Sequence, residues 1–246
     1  MSSYFWRNPI QQQIILGLLR GLYDPDGTVR FLDVGCSSGE MLLSYAMLLA
    51  DEYGDEWPER FAITAIDHDA RQIEHFTRGL WTANRLYRMP LSYRDRAVRT
   101  FDLPAAHGKR EPWAMLKSTA LVRQLDVRCQ DFGHFESRPA TWDVCHCQNT
   151  LLHLPLQRAL GWVEKFAAIL RPGGYFFCAG HHNERGPLSV DQLKKYFDPV
   201  PHNLVGVYNE WTQRKTASDP AIQLAQYDPA DPDLAYKIGS IFRRKE

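Results

Sequence analysis

Apolar residues recur at helical spacing in some segments of this chain and run alternating or unbroken in others. The order of those segments predicts a fold. Ile14, Ile15, Leu18, Leu19 and Leu22 sit three and four residues apart, so Ile10 to Tyr23 reads as a helix that Asp24-Pro25-Asp26-Gly27 breaks. Val29 to Val34 is a short apolar strand. Glu40 to Tyr53 returns to helical spacing, with Met41, Leu42, Tyr45, Leu48 and Leu49 on one side. Phe61 to Ile66 reads as a strand, Ala70 to Arg78 as a helix, and the stretches around Leu125 to Val127 and at Trp142 to Cys147 as strands. Leu156 to Leu170 is a helix that Arg171-Pro172-Gly173-Gly174 closes. Tyr175 to Ala179 is a strand and Val190 to Phe197 a helix. Leu204 to Trp211 and Tyr236 to Phe242 have strand composition.

Strands alternating with helices argue for a parallel sheet with helices on both faces. Two late strands with little helix between them add an antiparallel edge near the C-terminus. Trp81 to Gln124 is the least regular stretch, with Pro90, Pro104, Gly108 and Pro112 and many charges. It reads as an insertion, about 81–124, in a single domain spanning 1–246. A length of 246 residues is enough to bury one large α/β core.

Charge and cysteine content narrow the setting. Lys and Arg total 29, as do Asp and Glu, so there is no basic excess of the kind nucleic acid selects, and no nucleic-acid partner is expected. Five cysteines, mostly in apolar runs, read as reduced thiols of a cytoplasmic protein. Cys145-His146-Cys147 alternates like a strand, which puts His146 on the face opposite the thiols. No second ligand pair has zinc spacing, so no metal is expected. No signal peptide is visible, and no apolar run has membrane-spanning length, so no membrane partner is expected either.

Candidate chemistry gathers at strand ends. Phe31-Leu32-Asp33-Val34 runs into Gly35-Cys36-Ser37-Ser38-Gly39-Glu40 and then a helix. Ligands of open parallel sheets sit beyond the carboxyl ends of the strands. Glycines there admit a ligand close to the backbone, Ser37 and Ser38 carry donors, and free helix-start amides attract a carboxylate. The loop lacks the middle glycine of Gly-x-Gly-x-x-Gly and suits a dinucleotide pyrophosphate poorly, which disfavours a dehydrogenase. Asp67, at the tip of the second strand, can accept both hydroxyls of a ribose, whether of NAD or of S-adenosylmethionine, and Asp69 suits a helix cap. Gln148 and Asn149 are polar residues at a later strand tip.

In this order the motifs resemble the class I methyltransferases, and more closely the CheR family of chemotaxis receptor protein-glutamate methyltransferases. Ser3-Tyr4-Phe5-Trp6-Arg7 resembles the family's T-x-F-F-R, and Gly35 to Glu40 its G-C-S-S-G-E. Ala65-Ile66-Asp67-His68-Asp69 resembles A-T-D-I-D, and Arg78-Gly79-Leu80-Trp81 resembles x-G-x-Y. Asp143 to Asn149 resembles F-D-V-I-F-C-R-N, while Arg171-Pro172-Gly173-Gly174 and Gly180-His181 resemble P-G-G and G-H. The resemblance implies a Rossmann-like α/β fold with a mostly parallel seven-stranded sheet, S-adenosylmethionine as cofactor and S-adenosylhomocysteine as product. It places Arg7 near the methyl group and the substrate carboxylate, Glu40 at the cofactor's amino-acid end and Asp67 on the ribose. Asp131 and Phe132 then fall near the adenine, and Gln148 and Asn149 at the fourth strand tip. Gly35, Ser37, Ser38 and Gly39 complete the implied cofactor set.

Three positions depart from the family pattern. His153 stands where the family has a tyrosine beside the methyl group, Gln148 replaces an arginine, and Asp131 replaces an asparagine. The family's N-terminal helical domain has no counterpart ahead of Arg7, so a chemoreceptor is not the expected partner. The first expectation is O-methylation of a carboxylate on a small molecule or peptide, oriented by the fork of Arg7. The second is methylation of an amine or phenol with His153 as base. A third, from another class, is a SAM-binding module without catalysis.

Overall fold

The computed structural model describes residues 5, 9–22, 24, 27–82, 95, 99–102, 113–178, 190–200, 233, 235–236 and 241–246. The chain divides into two compact units, residues 1–136 and 137–246. The expected strand at Leu204 to Trp211 lies outside the described residues.

The first unit carries α1 (Pro9–Leu22), β1 (Val29–Val34), α2 (Glu40–Tyr53), α3 (Trp57–Arg60), β2 (Phe61–Asp67), α4 (Ala70–Arg78), β3 (Leu80–Thr82), β4 (Phe101–Asp102), β5 (Trp113–Leu116), α5 (Ala120–Arg123) and β6 (Asp126–Cys129). Its main strands run in the order β6-β2-β1, all parallel. β1 and β2 each bury four successive residues, Phe31 to Val34 and Ile63 to Ile66. That is the run a strand shows when both faces are covered. Residues Glu40 to Leu49 of α2 are all buried, so this helix is enclosed rather than amphipathic.

α4 begins at Asp69, whose carboxylate accepts the Arg71 N–H at 2.9 Å. Asp69→Ala is expected to cost about 1 kcal/mol of stability in a denaturant titration, the worth of such a cap. Within the insertion, β3, β5 and β4 form a separate three-stranded antiparallel sheet.

The second unit carries β7 (Trp142–His146), α6 (Leu156–Ile169), β8 (Leu170–Phe177), α7 (Val190–Tyr196), β9 (Phe197–Pro199) and β10 (Ile241–Arg244). Its strand order is β7-β8-β10-β9. β7 and β8 are parallel, and β10 runs antiparallel to both of its neighbours. The main sheet is seven-stranded and mostly parallel. Phe166 of α6 packs on Phe176 of β8 at 4.8 Å between ring centres, and Phe176 stacks on Phe197 at 5.1 Å.

Two sequence expectations are corrected here. Arg171-Pro172-Gly173-Gly174 is not a turn between helix and strand. α6 passes directly into β8, and these residues bulge inside the strand, where the register jumps from Trp142↔Leu170 to Val144↔Tyr175. The bulge needs glycine, because a Cβ on Gly174 would lie 2.9 Å from the carbonyl oxygens of both Arg171 and Asp143. The described last strand is Ile241–Arg244, and Tyr236 is not part of a strand. Residues 235 and 236 are helical, and the Tyr236 N–H donates to the Asp233 carbonyl at 2.9 Å. Among the described residues no helix is long and apolar enough to cross a membrane.

Candidate cofactor site

The parallel register of β1 and β2 builds the candidate site in the first unit. Val34 pairs with Ile66, so both strands end at one level. The chain leaving β1 folds over the end of β2, with the Gly35 and Cys36 amides both donating to the Ile66 carbonyl at 2.9 and 3.2 Å. One step further, the Ser37 amide donates to Asp67 Oδ2 at 2.8 Å, and the Asp69 amide donates to Asp67 Oδ1 at 2.9 Å. Gly35, Ser37 and Gly39 have φ of 75, 52 and 79°, and these left-handed positions turn the loop tightly into α2.

The loop's donors are used largely within the protein. Besides the amides just named, the Gly39 amide donates to the Cys36 carbonyl at 2.9 Å. Ser38 Oγ donates to Glu40 Oε1 at 2.8 Å, and Ser37 Oγ lies 3.4 Å from Gln72 Oε1. Glu40 itself is fully buried. The amides of Gly35, Cys36, Ser37 and Gly39 thus shape the loop. The structure adds Trp81, whose buried indole N–H donates to the Ser38 carbonyl at 2.6 Å. The aromatic in the x-G-x-Y resemblance was the only sequence signal for it.

β6 brings the third strand end. Asp67 pairs with Cys129, and the Gln130 amide donates to the Asp67 carbonyl at 2.8 Å. Asp131 follows at once, and its carboxylate caps the next turn through the Gly133 amide at 2.6 Å. The Phe132 side chain is buried and stacks on Phe135 at 6.1 Å.

In the second unit, β7 runs beside β8 as far as Cys147, whose amide donates to the Phe177 carbonyl at 2.7 Å. Gln148 and Asn149 follow, both half-buried, with Asn149 at φ 54°, a left-handed position that asparagine tolerates. His153 ends a short turn, Leu151–His153, ahead of α6, and its side chain is exposed. Arg7 and His181 lie outside the described residues.

Cys145, His146 and Cys147 are all buried, and among the described residues no three His, Cys, Asp or Glu side chains form a group that could hold a metal ion. Burial, first, and neighbouring carboxylates and thiols push the Cys36, Cys145 and Cys178 thiols well above the usual range. Cys129 is exposed. Iodoacetamide at neutral pH is therefore expected to alkylate Cys129 well ahead of the other four thiols. A single adduct in the early mass spectra checks this.

A Gly-rich turn after the first strand, an acid at the second strand tip and a mostly parallel seven-stranded sheet define a nucleoside-binding α/β fold of the class I methyltransferase kind. Residues 2–200 match the family described as CheR methyltransferase, SAM binding domain, and the chain belongs to that family.

Two relatives come from Pseudomonas aeruginosa. Chemotaxis protein methyltransferase 2 is 26% identical over 177 residues, covering 72% of this chain and 61% of the relative. A protein named probable biofilm formation methyltransferase WspC is 26% identical over 215 residues, covering 85% of this chain and 45% of the relative. The chain therefore spans less than two thirds of the length of either relative. Among solved structures, the cyclase SpnF superposes with a TM-score of 0.48 at 14% identity, over 100% of this chain and 88% of that one.

The cofactor of this family is S-adenosylmethionine, and the first unit suits it. A carboxylate has about four acceptor positions. Asp67 uses one on each oxygen for a backbone amide, and the exposed His68 Nδ1 stands 3.4 Å from Oδ1, so a ribose hydroxyl would find a position open on Oδ2 and reach Oδ1 by displacing that ring.

Proposed function

We propose that this chain transfers a methyl group to a carboxylate oxygen of a peptide or small molecule. The observation that carries the reading is the match over residues 2–200 to the CheR methyltransferase family, which supports reading Arg7 as the residue beside the acceptor. In this reading Asp67 holds the ribose and Glu40 the amino-acid end. Asp131 and Phe132 hold the adenine, and Gln148 and Asn149 contribute at the fourth strand tip. Gly35, Ser37, Ser38 and Gly39 shape the loop. Bound S-adenosylmethionine supplies an electrophilic methyl group on a cationic sulfonium. A carboxylate acceptor is already a nucleophile and gives up no proton, so the protein's task is orientation, which the two parallel N–H bonds of an arginine fork provide.

The second reading is amine or phenol methylation with His153 as base. A general base normally has its ring oriented by a further partner. His153 is exposed, and no described residue hydrogen-bonds its ring. That favours the carboxylate reading.

The deciding experiment gives the chain labelled S-adenosylmethionine with carboxylate-bearing and amine-bearing peptides and small molecules, then treats the product with alkali. Labelled methanol released by base, lost in Arg7→Ala and kept in His153→Ala, is the expected result. A base-stable methyl group lost in His153→Ala overturns it in favour of the second reading. Binding of S-adenosylhomocysteine with no turnover of any acceptor points to a non-catalytic module.

A further inference from the structure

We propose that Trp81 is a positioning residue for the cofactor loop, and that it couples this loop to Phe5 in the segment that leads to Arg7. The proposal rests on reading the first unit as the S-adenosylmethionine site. Trp81 sits in β3, opposite Ala114 of β5, and its indole is almost wholly buried. One edge of the indole donates its N–H to the Ser38 carbonyl at 2.6 Å.

The rest of the indole is clasped by two rings. Phe5 meets it edge to face at 5.3 Å and 80°, Phe101 of β4 at 5.8 Å and 89°, and Phe5 meets Phe101 at 5.0 Å and 69°. Three pieces of chain distant in sequence, namely Phe5, the small sheet and the cofactor loop, thus meet at one side chain. Phe5 is fully buried and stands two residues before Arg7.

The physical consequence runs through the Ser38 peptide. A buried carbonyl holds its place when a donor fixes it, and the indole N–H is a donor on rigid support. With that peptide fixed, Ser38 Oγ is held on Glu40 Oε1 at 2.8 Å, so Glu40 keeps one orientation. Replacing the indole by a phenyl ring keeps most of the packing and removes the N–H. The peptide can then rotate, the fraction of molecules with a competent loop falls, and apparent affinity falls in proportion. Phe5 acts on the same peptide through the indole it wedges.

Calorimetry with S-adenosylhomocysteine on the full chain, with melting temperatures alongside, tests this in wild type, Trp81→Phe, Phe5→Leu, the double variant and Trp57→Phe. Trp57 is a buried indole of α3 and serves as a stability control. The expected result is about tenfold weaker binding in Trp81→Phe, which is about 1.4 kcal/mol, and roughly threefold in Phe5→Leu. The double variant is expected to bind no more weakly than Trp81→Phe, because the two act through one path. Trp57→Phe is expected to lower the melting temperature and leave affinity unchanged.

Wild-type affinity in Trp81→Phe overturns the proposal. So do multiplying losses in the double variant, and so does an equal loss in Trp57→Phe at an equal drop in melting temperature. If Trp81→Phe does not fold, Phe5→Leu decides alone, and its unchanged affinity overturns the coupling. Failure of the wild-type chain to bind S-adenosylhomocysteine refutes the cofactor reading instead.

Discussion

Asp67→Ala is expected to weaken S-adenosylhomocysteine binding by at least a factor of about one hundred, read by calorimetry. A hydrogen bond to a charged group contributes about 1.5–3 kcal/mol. Two ribose hydroxyls on one carboxylate would therefore account for about two to four orders of magnitude in affinity. The alanine variant loses more than these contacts. It also releases the Ser37 amide, now held at 2.8 Å, and so loosens the loop from the end of β2. Asp67→Asn keeps one acceptor oxygen but turns an NH2 toward an amide donor, so it is expected to lose affinity in the same direction, by less. Asp69→Ala is the contrasting variant, because Asp69 caps α4 through its side chain and meets Asp67 only through its own backbone. It is expected to cost stability while leaving affinity within about threefold of wild type. An Asp67→Ala protein that binds as tightly as the Asp69→Ala protein would remove Asp67 from the site.

Gly39→Ala is the second large effect, and it strikes the fold and the site together. Gly39 has φ +79°, where a Cβ costs about 1–2 kcal/mol. The added carbon would also lie 2.5 Å from three carbons of the Phe76 ring, against the roughly 3.5–4.0 Å at which carbons normally meet. Phe76 is fully buried in α4 and has no open side to swing toward. Overpacking of this kind costs about 1–3 kcal/mol more. A chain of this size loses about 2–4 °C per kcal/mol, so a melting temperature lower by about 10 °C is expected, with S-adenosylhomocysteine affinity falling as well. Adding Phe76→Leu should restore part of the loss, the overlap but not the backbone strain. A single Gly39→Ala variant that melts like the wild type would show that the loop does not need its left-handed turn.

Where local chemistry marks an element's ends, the structure was legible in the sequence. Glu40–Tyr53 and Ala70–Arg78 carry the boundaries their residues announce, because Gly39 and Asp69 start them. Legibility failed where three-dimensional pairing decides. The Pro-Gly-Gly run reads as a turn in any one-dimensional pattern, and only the neighbouring Asp143 carbonyl makes it a bulge. Phe197, the first residue of the three in β9, reads as the end of the preceding helix, since its strand character comes from pairing with β10.

The site divides in the same way. A glycine loop and an acid at adjacent strand ends could be read from the order of elements. Which donors the loop had left could not, because that depends on the β1–β2 register, which directs the Gly35 and Cys36 amides to Ile66 and the Ser37 amide to Asp67. Trp81 carried an aromatic signal, but nothing in its neighbours said that its N–H would reach Ser38.

The shared Ile66 carbonyl also governs how the loop behaves over time. Two successive amides hang from one acceptor at the end of a buried strand, and a third hangs from the next side chain. In hydrogen-exchange terms these protons are expected to belong with the β1–β2 pair and to be released when that pair opens rather than when a ligand leaves. The loop is preorganised, so binding spends little of its free energy on ordering backbone. Cofactor affinity in this chain is thereby tied to the integrity of its central strands.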